Sequence, residues 1–283
     1  MKILFCTDGS HISLTAILNF SKLLKEFKTD ILSVASIHTL PEGFVLEIPE
    51  FETKCQNSVD EILNYSKEFL LRHNIMVDKL IKGCGGIVDY ILETEKKYDF
   101  LVLGSRSKKG IQKWLGATST EIANKSTSSI YISKGKNENK EILFVFQPEY
   151  DYEIELKKII PKFNFNQKNI HLITVFEVPE YLFLEGNIDK KWINEIEKKQ
   201  IKESLNKIAH YERIFSQHNI KILNSTAIKG NFAEEIQKYS QKKQIDLIVL
   251  LTNNQRRNKS DTSTIYKKIL ENCSSDIAIL KDY

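Results

Sequence analysis

Two short segments carry residue types that can hold an anionic ligand. The first is Cys6-Thr7-Asp8-Gly9-Ser10, which follows a short apolar run at the amino terminus. It offers a carboxylate and two hydroxyls, and Ser10 can cap a helix by accepting an orphan backbone N–H. The second runs from Gly104-Ser105-Arg106-Ser107-Lys108-Lys109-Gly110 through Leu115-Gly116-Ala117-Thr118-Ser119. Its glycines let the backbone turn tightly and approach a ligand. Ser105, Ser107, Thr118 and Ser119 supply hydroxyls, and Arg106, Lys108 and Lys109 add positive charge. Amides freed at the start of a helix after Gly116 would face an anion, helped by the helix dipole. Together these are the parts of a phosphate cradle. They equally suit an exposed loop closed by a Ser/Thr helix cap, and chemistry alone leaves both readings open. No GxxxxGK[ST] motif is present, so this is not a P-loop. Gly83-Cys84-Gly85-Gly86 does not follow a first strand and reads as a turn into a helix.

The elements that must position these segments come twice. Ile81-Lys82-Gly83 recurs as Ile228-Lys229-Gly230, and Asp99-Phe100-Leu101-Val102-Leu103 as Asp246-Leu247-Ile248-Val249-Leu250, both at an offset of 147. Ile130-Tyr131-Ile132 matches Ile277-Ala278-Ile279 at 147, His73-Asn74-Ile75 matches His218-Asn219-Ile220 at 145, and Ile3-Leu4-Phe5 matches Ile142-Leu143-Phe144 at 139. Ordered matches with an offset that never falls along the chain indicate a duplication. The copies meet near the polar stretch Gly135–Lys140. In the first copy, strands are expected at Lys2–Cys6, Asp30–Ile37, Met76–Ile81, Phe100–Gly104 and Ile130–Ser133. Helices are expected after Ser10 and at Glu52–His73, Ile87–Lys97 and Thr118–Lys125. Short apolar runs alternating with amphipathic helices imply parallel sheets covered by helices. Ligands of such sheets sit at the carboxyl ends of the strands, where both segments fall.

Composition narrows the function classes. Lys and Arg number 41 against 37 Asp and Glu, a weak excess that argues against a nucleic-acid binder. The cysteines Cys6, Cys55, Cys84 and Cys273 form no CxxC pair and no metal-site spacing, so reduced thiols in a cytoplasmic protein are expected. The opening apolar run is too short for a signal peptide, and no run approaches the ~18 residues of a membrane span. No HExxH, triad ordering or carboxylate pair stands out, and His11, His38 and Trp114 read as surface or packing residues.

The opening ILFCTDGS resembles that of the universal stress protein (UspA) family. The segment DFLVLGSRSKKGIQKWLGATSTEIANKSTSSIYIS resembles that family's closing segment, where a glycine loop precedes a last helix and strand. The resemblance covers both halves and implies a tandem member. The implied fold is two doubly wound α/β domains with parallel five-stranded sheets, of the adenine nucleotide alpha hydrolase-like or universal stress protein type. Domain 1 would span 1–136 and keep part of the nucleotide loop; domain 2 would span 140–283 and be degenerate. Carried over by motif, Cys6, Thr7 and Asp8 match the base and ribose turn, with Cys6 in place of the usual Pro. Ser36 falls near the adenine position. Gly104 matches the first loop glycine, and Ser105 follows it. Ser107 stands where a second glycine belongs. Gly116 matches the third after a spacer one residue short, and Ala117 and Thr118 stand at the Ser/Thr position. In the second copy Gln147 and Pro148 replace Asp8 and Gly9, and Leu251 replaces Gly104. The resemblance implies ATP or another adenine nucleotide, with Mg2+, held by the first copy for regulation, with slow hydrolysis at most. The alternative is a stress-related scaffold with an unknown protein partner. No nucleic-acid or membrane partner is expected. The last strands of the copies, Ile130–Ser133 and Ile277–Leu280, are expected to pair antiparallel in an intramolecular pseudo-dimer.

Overall fold

A computed structural model describes residues 1–27, 31–38, 49–84, 86–105, 112–135, 138–177, 190–252 and 260–281. It is an α/β structure that divides into two compact units. The first is Met1–Glu138 with Asp276–Tyr283, and the second is Asn139–Ser275. Among the described residues, no helix is long and apolar enough to cross a membrane.

The first unit alternates β1 (Lys2–Cys6), α1 (His11–Leu23), β2 (Ile31–His38), α2 (Pro49–Arg72), β3 (Lys79–Cys84), α3 (Ile87–Thr94), β4 (Phe100–Gly104), α4 (Gln112–Lys125) and β5 (Ser129–Ser133). The second continues with β6 (Glu141–Phe146), α5 (Glu153–Ile159), β7 (Asn169–Phe176), α6 (Lys190–Gln217), β8 (Ile222–Lys229), α7 (Phe232–Lys242), β9 (Leu247–Leu251) and α8 (Ser260–Asn272). The chain's last strand, β10 (Asp276–Leu280), falls in the first unit. Strand order in the first unit is β3-β2-β1-β4-β5-β10, and in the second β9-β6-β7-β8. Within each unit the described strand pairs are parallel except β5 with β10, which run antiparallel as the sequence led us to expect, with Ile277 opposite Ile132. The expected boundary assigned β10 to the second copy; its antiparallel partner draws it into the first unit.

Central strands are apolar on both faces because helices cover them. Ile3, Leu4 and Phe5 of β1 are fully buried, and Phe20 of α1 packs on Phe100 at 4.9 Å and Tyr131 at 5.4 Å. In the second unit Phe144 meets Phe215 of α6 edge-on at 5.0 Å.

The repeated motifs have repeated mechanical roles. His73-Asn74-Ile75 and His218-Asn219-Ile220 end the long helices α2 and α6. Asn74 and Asn219 adopt φ of 59° and 58°. The next amide, of Ile75 or Ile220, returns to Leu70 O at 3.0 Å or Phe215 O at 3.1 Å. This is a C-terminal cap of Schellman type, and Asn tolerates its left-handed residue. The cap and the connection after it explain why β3 starts at Lys79 rather than at the expected Met76. Asp99 and Asp246 clamp neighbouring strand starts: each carboxylate accepts a backbone N–H, Lys2 at 2.7 Å and Glu141 at 3.0 Å.

Candidate functional site

Order along the first unit's sheet reverses between β1 and β4. The chain moves outward from β1 to β2 and β3, then crosses to the other side for β4 and β5. A crevice opens at such a switch point, at the carboxyl ends of the strands. Register brings the sequence candidates together there. Cys6 pairs with Ala35 on one side and Leu103 on the other. Thr7 therefore stands beside Ser36 and Gly104, and the Thr7 amide extends the ladder to Ala35 O at 2.9 Å. Ser36 is 2% exposed.

The turn after β1 is built from its own side chains. The Gly9 amide donates to Thr7 Oγ1 at 3.0 Å, and the Ser10 amide donates to Asp8 Oδ1 at 3.0 Å. Gly9 takes φ of 74°, which a side chain would strain. Ser10 caps α1 as expected, accepting from the Ser13 amide. Ser13 then ties the turn to the helix. Its hydroxyl meets Thr7 Oγ1 at 2.9 Å and donates to Ser10 O at 2.8 Å. Ser13 was not among the sequence candidates; the Ser10-x-x-Ser13 spacing, one helical turn, was the available signal.

Gly104 ends β4 against that same helix. A Cβ there would sit 2.5 Å from Ser13 Cα and 2.7 Å from Ser13 N. The helix backbone thus requires a glycine at this position, whatever binds. The Ser105 amide donates to Ser133 O at 2.7 Å, carrying the chain along β5 as it leaves the sheet. Ser107 lies outside the described residues, as do Arg106, Lys108, Lys109 and Gly110.

The expected helix start after Gly116 is corrected. Helix α4 begins at Gln112, so the backbone of Gly116, Ala117 and Thr118 lies inside it. Amides there bond to carbonyls four residues back; the free donors belong to the first turn, Gln112 to Trp114. One interior glycine costs a helix only about 1 kcal/mol, too little to end a segment that continues to Lys125.

The surroundings of Cys6 favour its thiol over the thiolate. Burial, and then the negative charge of Glu95, raise its thiol pKa. Glu95 is 1% exposed, and its carboxylate accepts from the Thr127 amide at 2.6 Å and from the Ser126 hydroxyl. Its partners precede β5, at the opposite edge of the sheet from the crevice. Asp276, fully buried, has a structural role too. It accepts from Tyr131 Oη at 2.6 Å, Ser133 Oγ at 3.2 Å and the Lys134 amide at 2.6 Å, fastening β10 to β5. Among the described residues, no group of three or more His, Cys, Asp or Glu side chains could hold a metal.

The second unit's equivalent turn has different chemistry. Phe146 replaces Thr7, and its ring packs on Tyr211 at 4.5 Å and Tyr152 at 5.6 Å. Helix α5 begins at Glu153, its N-cap Tyr152 makes no side-chain capping bond, and Leu251, 1% exposed, fills the Gly104 position. Aromatic and aliphatic volume stands where the first unit has hydroxyls and a glycine.

Residues 1–134 match the model of the Universal stress protein family. No curated protein matches the chain. A universal stress protein from Archaeoglobus fulgidus DSM 4304 superposes with a TM-score of 0.67 at 16% identity, over 99% of this chain and 96% of that chain. A putative universal stress protein from Pseudomonas aeruginosa UCBPP-PA14 gives 0.63 at 10% identity, over 99% and 92%. At these identities the structural likeness establishes the fold.

Proposed function

We propose, for a chain whose first 134 residues belong to the universal stress protein family, that the first unit holds an adenine nucleotide at the carboxyl edge of β2, β1 and β4 and that its occupancy regulates a stress response. One observation carries this reading: Thr7, Asp8, Ser36, Gly104 and Ser105 converge on the switch point between β1 and β4. Asp8 Oδ1 accepts from the Ser10 amide, which orients the carboxylate at the sheet edge for sugar hydroxyls. Free amides of the first turn of α4 would meet the phosphates. Mg2+ would arrive on those phosphates. The altered positions, Ser107 for a glycine and helical backbone at Gly116, Ala117 and Thr118, favour a scaffold that acts through a protein partner as the second reading. On either reading the proposal includes the intramolecular pseudo-dimer expected from the sequence, which the antiparallel pairing of β10 with β5 supports. Calorimetric titration of the full chain with ATP, ADP and AMP separates the two readings. Saturable heat at up to millimolar nucleotide, weakened by Asp8→Ala, supports the nucleotide site. No heat and no competition among the three supports the scaffold.

A further inference from the structure

The last strand, β10, reaches both parts of the first unit that would meet phosphates. At its start it extends the carboxyl edge of the sheet. Gly104 pairs with Ser133, and Ile132 with Ile277, so the edge runs from Gly104 through Ser133 to Asp276. Ser133 links the two sides. Its carbonyl accepts from the Ser105 amide at 2.7 Å, and its hydroxyl donates to the fully buried Asp276 carboxylate at 3.2 Å. The same carboxylate accepts from the Tyr131 hydroxyl and the Lys134 amide, both at 2.6 Å. The point where the chain leaves β4 is thus braced by a carboxylate from the end of the sequence.

Beyond its other end β10 grips α4. Lys281 follows the strand directly, and its ammonium donates to the carbonyls of Ala123 at 3.0 Å and Ser126 at 2.6 Å. Its amide donates to Ser129 Oγ at 2.9 Å, which fixes its backbone beside the start of β5. The last carbonyls of a helix have no partner within it. A lysine there satisfies them and faces the negative end of the helix dipole. Helix α4 has 14 residues and is about 21 Å long. It contains Gly116, which weakens it from within. Helix formation is cooperative, so an anchor on the last turn also holds the first, where the free amides lie.

Resting on the nucleotide reading, we propose that β10 sets how tightly the first unit holds the phosphates of its nucleotide, with Lys281 and Asp276 as positioning residues. Lys281 holds α4 in place, and Asp276 acts through Ser133 on the Ser105 backbone. The base and ribose end has separate support. Two strands, β4 and β5, lie between β10 and β1, and the turn after β1 is tied to its own helix by Ser13. A change in β10 therefore alters affinity for ATP and leaves affinity for adenosine as it was.

The test compares ATP with adenosine by calorimetry on the full chain. Lys281→Met keeps the aliphatic stem and removes the ammonium, Asp276→Asn keeps the shape and loses an acceptor, and Lys281→Arg keeps a cation. Lys281→Met and Asp276→Asn are each expected to bind ATP at least about fivefold more weakly, with adenosine affinity unchanged, and Lys281→Arg to restore most of the loss. Equal losses for ATP and adenosine overturn the proposal, because they report general loosening. So does full ATP affinity in either variant. Amide exchange without nucleotide gives a second reading. Lys281→Met is expected to speed exchange of the Gly116 to Thr118 amides, which bond to the first turn of α4, at least about fivefold and to leave α1 unchanged. Unaltered exchange in α4 overturns the proposal. If the wild type binds neither ATP nor adenosine, the nucleotide reading fails and takes the affinity claim with it. The exchange result separately decides whether Lys281 governs the first turn of α4.

Discussion

Replacing Gly104 with alanine tests the geometry of the crevice most locally. The added Cβ would sit 2.5 Å from Ser13 Cα, 2.7 Å from Ser13 N and 3.0 Å from Ser13 Cβ. Non-bonded carbons settle near ~3.5–4.0 Å, so the first turn of α1 must retreat by about 1 Å or the end of β4 must bend. Retreat is opposed by Ser13's own bonds, to Thr7 Oγ1 at 2.9 Å and Ser10 O at 2.8 Å. Overpacking costs about 1–3 kcal/mol, and weakening one of these hydrogen bonds adds about 1 kcal/mol. The expected loss is therefore about 2–4 kcal/mol by the same principles. Urea denaturation of the first unit should show it as a lower midpoint at unchanged slope. Amide exchange should speed up in α1 before the rest of that unit. A variant within about 0.5 kcal/mol of the wild type, with α1 exchange unchanged, would refute the contact. The same geometry governs how a larger Gly104→Val change is read: lost ATP affinity would report displaced helix α1 before it reported a blocked ligand.

Asp276→Ala leaves the Tyr131 and Ser133 hydroxyls and the Lys134 amide without their shared acceptor. It should cost at least about 3 kcal/mol in chemical denaturation; a loss below about 1 kcal/mol would contradict the clasp. Asn219→Ala should lose about 1 kcal/mol because alanine resists φ of 58°, whereas Asn219→Gly should lose little. Equal stability of the two variants would argue against the helix-end cap. For Cys6, the native state keeps the thiol proton at pH values where the unfolded chain, with a pKa near ~8.5, releases it. That stability is fully present below the ordinary thiol value and is lost as pH rises past it. Alkylation of the Cys6 peptide, followed by mass spectrometry at mildly alkaline pH, should be slower in the native protein than in urea; equal rates would refute the raised pKa.

Much of the fold was legible because local rules and tertiary packing agreed. Phe100–Gly104 is a strand on both grounds, and the Asp8-Gly9-Ser10 turn into α1 shows its cap chemistry in its residue types. The duplicated Asn of His-Asn-Ile and the duplicated Asp before β4 and β9 marked real joints. The start of α4 was misjudged because Gly116 looks like a breaker, yet an isolated glycine is a weak one. Gly104 was read as a ligand glycine because its actual neighbour, the backbone of α1, is contacted only after folding. Asp276 and Glu95 gave no local signal, since their partners Tyr131, Ser133, Ser126 and Thr127 come from elsewhere in the chain.

Amide hydrogen exchange with and without ATP reads the asymmetry between the two copies. ATP is expected to slow exchange at residues 7–10 and 104–105 of the first unit, and to leave residues 147–149 and 251–252 of the second unit unchanged. Protection of the second unit's segments by ATP, or protection of neither set, would contradict that expectation.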